Sequence, residues 1–130
     1  MKNGGYTKKM KLEHNFSNET RHIFLYRQTC YLCKGNGNNK GGLEIHHICG
    51  RKKHERYLDS PFNASVLCGE CHLHISHDQE VQYALFKYTA RLLLEEWYKP
   101  VKDDILFINE HSKDKFNKEP KEVFDFLLSL

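Results

Sequence analysis

The sequence predicts a small α+β domain in which four cysteines hold one zinc ion and tie two short strands to flanking helices. Three observations support this. Two Cys-x-x-Cys pairs stand far apart in the chain, the runs LEIHHI and ASVLC have strand character, and DQEVQYALFKYTARLLLEEWY repeats its apolar residues at helical spacing. A chain of 130 residues has the size of one domain.

Composition places the chain among folded proteins, because 39% of its residues are hydrophobic and 12% are aromatic. The net charge of +3 is mildly basic, which is compatible with an anionic partner but also common without one. The N-terminus MKNGGYTKKMKLEH lacks the apolar core of a signal peptide, and no apolar run is long enough to span a bilayer. We therefore expect a cytoplasmic protein that does not bind membranes.

The first half of the chain alternates short elements with polar loops. Residues 1–16 predict a flexible basic arm, and SNETRHIFLYRQ predicts a short helix capped by Ser17 or Asn18. The Gly- and Asn-rich run KGNGNNKGG predicts a loop before the first strand, LEIHHI. A second loop then leads to the second strand, ASVLC.

The second half is predicted to be helical from about Gly69. In the main helix one apolar face is expected, formed by Val81, Ala84, Leu85, Tyr88 and Leu92. Pro100 ends that helix, and one or two further helices follow, with Pro120 in a first turn. Residues 17–78 thus form the zinc-stabilised core, and residues 79–130 form a helical extension. The extension either enlarges the core, which we expect, or makes a dimer face. The acidic pairs EE and DD in this part of the chain are expected to be solvated.

The paired cysteines carry the first chemical argument. Cys30, Cys33, Cys68 and Cys71 offer four soft ligands, which is what a tetrahedral structural zinc site needs. The alternative is a redox dithiol. The fifth cysteine, Cys49, is expected to be a small buried residue, because the sequence shows no base that would activate it as a nucleophile.

Three histidines are fixed by the same cysteine frame. His46 and His47 stand side by side between the two pairs, and His72 follows Cys71 directly. One imidazole can bind a divalent ion while its neighbour removes a proton from water. The alternative is a pair of surface histidines at a strand end.

The order Cys-x-x-Cys, His-His, Asn, Cys-x-x-Cys-His over residues 30–77 resembles the HNH endonuclease family, in its variety with four zinc-binding cysteines. The resemblance implies a ββα-metal core, in which two strands and a helix surround one catalytic divalent cation. It also implies metal-dependent hydrolysis of DNA phosphodiester bonds, by nicking or by double-strand cleavage. Proteins of this kind are often encoded by phages or mobile elements.

The resemblance assigns roles to four residues. His46 and His72 occupy the positions of metal ligands, His47 that of the general base, and Asn63 that of the middle asparagine, which orients the base or reaches the metal. The cation would be Mg²⁺, Mn²⁺, Ni²⁺ or Zn²⁺.

One position departs from the family pattern. Relatives often carry a further histidine four residues after the one at position 72, where this chain has Ser76. His74 and His77 are the candidates for a third ligand, and we favour His77. In an ideal helix His77 would lie off the face of His72, so its use requires a local widening or a late helix start.

The expected partner is DNA. The loop after the histidine pair carries a cluster of positive side chains: Arg51, Lys52, Lys53 and Arg56. Such a cluster can position a phosphate backbone, although an ordinary solvated loop has the same composition. Two other functions stay open: a zinc module that binds nucleic acid without cutting it, and a structure-selective junction resolvase that acts as a dimer. The oligomeric state, monomer or homodimer, is not predicted from the sequence.

Overall fold

The computed structural model describes residues 16–24, 29–50, 55–75, 78–96 and 98–130. The α+β class is confirmed, since these residues form a two-stranded antiparallel sheet and several helices. The strands are β1 (Leu43–His47) and β2 (Ala64–Cys68). The helices are α1 (Asn18–Ile23), α2 (Gly69–Leu73), α3 (Gln79–Glu96), α4 (Lys102–Phe116) and α5 (Pro120–Leu128).

The sheet pairs the two histidines of β1 with the start of β2. Its register sets His46 opposite Ser65 and His47 opposite Ala64. Every residue of β2 is buried, whereas β1 is only partly covered. Two short 3₁₀ turns, Arg56–Asp59 and Pro61–Asn63, bring the chain back to β2. The sheet therefore carries the predicted site along one partly accessible strand.

Glycines allow the loop before β1 to touch the start of α2. The Gly69 N–H donates to the Gly42 carbonyl at 3.0 Å, and a Cβ added to Gly69 would lie 2.9 Å from the Lys40 carbonyl oxygen. Gly41 has a φ of +86°, and its Cβ would lie 3.1 Å from the Gly69 Cα. Side chains at these positions would separate the two segments that carry the cysteine pairs.

The N-terminal helix begins as predicted, with Ser17 as its cap. The Ser17 hydroxyl accepts a hydrogen bond from the Thr20 N–H at 3.2 Å. The predicted boundary of the basic arm at residue 16 leaves Phe16 outside the core, yet its side chain is only 2% exposed. Residues 1–15 and 25–28, which include the rest of the predicted arm and helix, lie outside the described residues.

Helix α3 packs on β2 largely through the predicted face: Leu85 is buried, and Val81, Tyr88 and Leu92 pack against the core. Its buried residues are Gln82, Leu85, Phe86, Thr89, Ala90 and Leu93. Ala84, expected inside, is exposed. The buried face also includes the large side chains of Phe86 and Leu93, and it includes Thr89, whose hydroxyl donates to the Ala64 carbonyl at 2.8 Å. Because that bond satisfies the hydroxyl, an apolar pattern alone could not predict that Thr89 is buried.

Helices α4 and α5 enlarge the core, as expected, through Phe107, Ile108, Phe116 and Val123. One acidic residue expected at the surface is buried instead: Asp104 is 1% exposed. Its carboxylate accepts from the Ser60 hydroxyl at 2.6 Å and the Tyr98 hydroxyl at 2.5 Å. Burial and this carboxylate raise the pKa of Tyr98. Asp104 thus joins the turn before β2 to the C-terminal helices.

Among the described helices, none has both the length and the apolar character needed to cross a membrane.

Candidate metal centre and histidine site

The four paired cysteines come together, as the sequence predicts. The sulfurs of Cys30, Cys33, Cys68 and Cys71 all lie within 4.8 Å of one another. Cys33 Sγ and Cys68 Sγ are 3.9 Å apart. A tetrahedral zinc ion with sulfurs at about 2.3 Å separates them by roughly 3.8 Å. The cluster can therefore hold a metal such as zinc.

Backbone N–H groups point at the sulfurs of this cluster. The Cys33 N–H donates to Cys30 Sγ at 3.5 Å, and the Cys71 N–H donates to Cys68 Sγ at 3.4 Å. The two pairs thus repeat one turn, in which the first cysteine accepts from the backbone of the second. A further bond runs from the Gly35 N–H to Cys33 Sγ at 3.4 Å. The bond to Cys30 Sγ favours the thiolate form of Cys30, which is the form that binds metal.

The acidities within the cluster are uneven. Burial alone would raise the pKa of the Cys30 thiol, but backbone hydrogen bonds from Cys33 and Cys68 outweigh it and lower the pKa to about 6. Burial and hydrogen bonds to the neighbouring thiols raise the pKa of Cys71 to about 12. The Cys30 thiolate therefore forms readily and opposes the ionisation of Cys71. A bound divalent cation removes this conflict, because its charge stabilises all four thiolates together.

His46 and His72 meet beside the cysteine cluster. His46 Nδ1 lies 3.2 Å from His72 Nε2, and the two ring planes are inclined by 74°. His46 is 7% exposed, while His72 lies on the short helix α2 that starts at the second cysteine pair. The distance fits a hydrogen bond between one protonated and one bare nitrogen, and it also fits two nitrogens that share one ion.

Glu44 is a site residue that the sequence reasoning missed. Its carboxylate lies 3.3 Å from His72 Nδ1, the nitrogen that faces away from His46. A carboxylate in this position fixes the tautomer and the orientation of a metal-binding imidazole. Strand alternation contained a signal, since Glu44 precedes His46 by two residues on β1 and therefore shares its face.

His47 makes a different contact from its neighbour. Its ring lies parallel to that of Phe16, with centroids 3.9 Å apart and planes inclined by 7°. Because successive strand residues face opposite sides of a sheet, the adjacent histidines extend into separate surroundings. The alternative of two surface histidines does not describe them, since His46 is buried and His47 is half-buried.

Asn63 holds the chain immediately after the histidine pair. Its side-chain oxygen accepts from the Cys49 N–H at 2.6 Å, and its amide nitrogen donates to the carbonyls of Cys49 and Leu58 at 2.9 and 2.8 Å. The backbone carbonyl of Asn63 accepts from the Ile48 N–H at 2.9 Å. Asn63 is fully buried, so it fixes the exit from β1 through contacts that water cannot replace.

Replacing Asn63 with alanine should lower the free energy of unfolding by about 3 kcal/mol, because the buried backbone groups of Cys49 and Leu58 lose their partners. Urea denaturation followed by circular dichroism measures the change. Asn38→Ala is the matched control, since Asn38 is exposed in the loop before β1 and its loss should cost less than about 0.5 kcal/mol. Equal denaturation midpoints for the Asn63 variant and the parental protein would contradict this role.

Cys49 is buried, as predicted, but the reason given for its inertness was incomplete. The structure does place a base beside it: Cys49 Sγ lies 3.5 Å from His111 Nδ1 on α4. Burial, however, raises the pKa of the Cys49 thiol. A protonated thiol is a poor nucleophile, so the structural role stands for a different reason.

Several predicted site residues lie outside the described part of the chain: His77, Arg51, Lys52 and Lys53. Arg56 is described, and its guanidinium pairs with Asp103 at 3.1 Å while its side chain remains 88% exposed. His74, the other candidate for a third ligand, is exposed directly after α2.

Comparison with protein families, curated proteins and solved structures found no match to this chain.

Proposed function

We propose that this protein is an endonuclease of the HNH type, which hydrolyses DNA phosphodiester bonds with a divalent cation. In this proposal β1, β2 and α2 form the ββα-metal core, and zinc on the four cysteines stabilises it. One observation carries the proposal: His46 Nδ1 and His72 Nε2 lie 3.2 Å apart, and His72 directly follows Cys71 of the cysteine cluster.

The two histidines suit a shared cation. Nitrogens at about 2.0–2.1 Å from one ion lie roughly 3.3 Å apart at a tetrahedral angle and about 2.9 Å apart at a right angle. The observed 3.2 Å falls between these values. Glu44 supports the ligand role by holding the opposite nitrogen of His72. His77, or else His74, would complete the protein ligands.

In catalysis each residue has a separate task. His46 and His72 would hold a divalent ion, whose positive charge would offset the charge developing on the phosphate and on the leaving 3′ oxygen. His47 accepts a proton from the attacking water. Asn63 keeps the backbone after His47 in place, and the basic loop that includes Arg56 holds the DNA backbone. The resemblance implies products with 5′-phosphate and 3′-hydroxyl ends.

A plasmid assay tests the proposal. Zinc-loaded protein, freed of other metals, is incubated with supercoiled plasmid and Mg²⁺, Mn²⁺, Ni²⁺ or additional Zn²⁺ in turn. We expect nicked or linear DNA with at least one of these ions, and none when the ion is left out. His72→Ala should lose the ion-dependent cleavage while keeping its structural zinc, which metal analysis of the purified variant verifies.

The alternatives predict different results in the same assay. A module that only binds nucleic acid would retard the plasmid in a gel and leave it intact with every ion. A junction resolvase would cut a four-way junction in preference to a linear duplex, and it would act as a dimer. Intact plasmid and intact junction with all four ions, from a protein shown to be folded and zinc-loaded, would rule out the nuclease.

A further inference from the structure

We infer that Phe16 is a positioning residue for His47, and that Asp59 anchors Phe16 against the His47 ring. The inference rests on the proposed function, because it concerns the residue assigned as general base. It starts from the parallel contact between the two rings, whose centroids are 3.9 Å apart. Phe16 comes from a segment far from His47 in sequence, and it is 2% exposed.

The contact restricts the imidazole of His47. A ring that lies flat on another at this distance cannot rotate about its Cβ–Cγ bond without pushing its neighbour away. Phe16 cannot yield, because its own side chain is packed in the core that includes Phe62 and Leu67. Close packing of this kind makes displacement of either ring costly. The plane of the His47 ring is thus set by a side chain outside the histidine–cysteine pattern.

Asp59 fixes the backbone immediately after Phe16. One carboxylate oxygen accepts from the Ser17 N–H at 2.6 Å, and the other accepts from the Ser17 hydroxyl at 2.7 Å. The Thr20 hydroxyl donates to the Asp59 carbonyl at 2.8 Å. Three hydrogen bonds therefore hold the start of α1 to the 3₁₀ turn Arg56–Asp59.

The same stretch of chain also holds the backbone that follows His47. Asp59 is followed by the turn that contains Asn63, and Asn63 holds the backbone just beyond His47. One contiguous segment, residues 59–63, thus anchors the ring of His47 through Phe16 and the backbone that follows His47 through Asn63. A general base needs this support, because displacement of a reacting group by about 1 Å can slow a reaction about a hundredfold.

The test compares two phenylalanines with equal burial. Phe16→Leu removes the stacked ring but keeps an apolar side chain. Phe116→Leu is the control, because Phe116 is also 2% exposed but packs on Tyr83 and Phe86, away from the histidines. We measure the ring-proton NMR shifts of His47, plasmid cleavage at saturating cation, and binding to a DNA duplex.

We expect Phe16→Leu to move the His47 ring protons downfield, since they lose the ring current of the phenylalanine. We also expect it to reduce kcat about 10- to 100-fold with no change in the Kd for DNA. Phe116→Leu should leave the His47 signals and kcat as in the parental protein. Phe16→Tyr, which restores an aromatic ring, should recover the parental shifts and most of the rate.

Two results would overturn the inference. One is a set of His47 ring signals that Phe16→Leu does not move; the other is an equal loss of kcat in both leucine variants, which would make Phe16 a general core residue. A parental protein that cuts no DNA would overturn the proposed function instead. The NMR comparison would then still decide whether Phe16 orients His47, because it needs no cleavage.

Discussion

Replacing Cys68 with serine should unfold this protein at 25 °C. Cys68 is fully buried, ends β2, caps α2 and contributes one of the four clustered sulfurs. Structural zinc sites stabilise small domains by about 10–16 kcal/mol, which is comparable to the whole stability of a typical domain, about 5–15 kcal/mol. A serine hydroxyl does not replace a thiolate as a zinc ligand, so the loss should approach the full contribution of the metal.

Zinc content and far-ultraviolet circular dichroism measure the outcome. The parental protein should purify with zinc, lose its helical signal when a strong chelator is added, and regain that signal when zinc is restored. Cys68→Ser should contain no zinc and show no cooperative thermal transition. The loss of structure should include α3, which packs on β2, and α4, which packs on α3 and shares the same core.

Cys49→Ala is the matched control for this prediction. Cys49 is also a buried cysteine, at 5% exposed, but it lies outside the sulfur cluster. Its replacement should retain zinc and cost about 1 kcal/mol, the usual effect of a small change in the core. A Cys68→Ser protein that folds cooperatively without metal would show that the cluster contributes no structural zinc site.

The features predicted correctly from the sequence are those that depend on local patterns. The strands, the cap at Ser17 and the first-turn Pro120 follow from spacing and residue type within a few positions. The cysteine cluster is a long-range contact, yet it was predictable, because four thiols in two pairs have few other uses in one chain.

The features that the sequence could not predict depend on where distant segments pack. No local pattern pairs Phe16 with His47, or Asp104 with Ser60. The prediction for α3 omitted Thr89 for the same reason, since the buried Thr89 hydroxyl has its partner in the Ala64 carbonyl of another segment. A polar residue is buried where a hydrogen-bond partner is available, and tertiary structure determines which partner that is.

These long-range contacts give the site its organisation. Zinc would join the two cysteine pairs, one before β1 and one at the end of β2. The Glu44 carboxylate contacts His72, and the segment from Asp59 to Asn63 supports His47. The candidate metal ligands and the candidate base therefore have separate supports. Because the supports are separate, variants of the two groups should fail in different ways, which allows the roles to be tested independently.

Replacing His47 with alanine should reduce plasmid cleavage by about 10²- to 10⁴-fold, the range lost when a general base is removed. His47 is not among the clustered cysteines, and the contact at 3.2 Å joins His46 to His72 without it. The variant should therefore keep its zinc and bind the catalytic cation with parental affinity. His46→Ala should instead weaken binding of that cation, which isothermal titration with Mn²⁺ or Ni²⁺ measures.

Two additions make the assignment of the base specific. His22→Ala is the control, because His22 is exposed on α1. This variant should cut plasmid at the parental rate. Free imidazole added to His47→Ala should restore part of the rate, since the deleted ring leaves a space against Phe16 that an imidazole fits. If His47→Ala cuts as fast as the parental protein, the proton acceptor is another group and the role of His47 in this site is wrong.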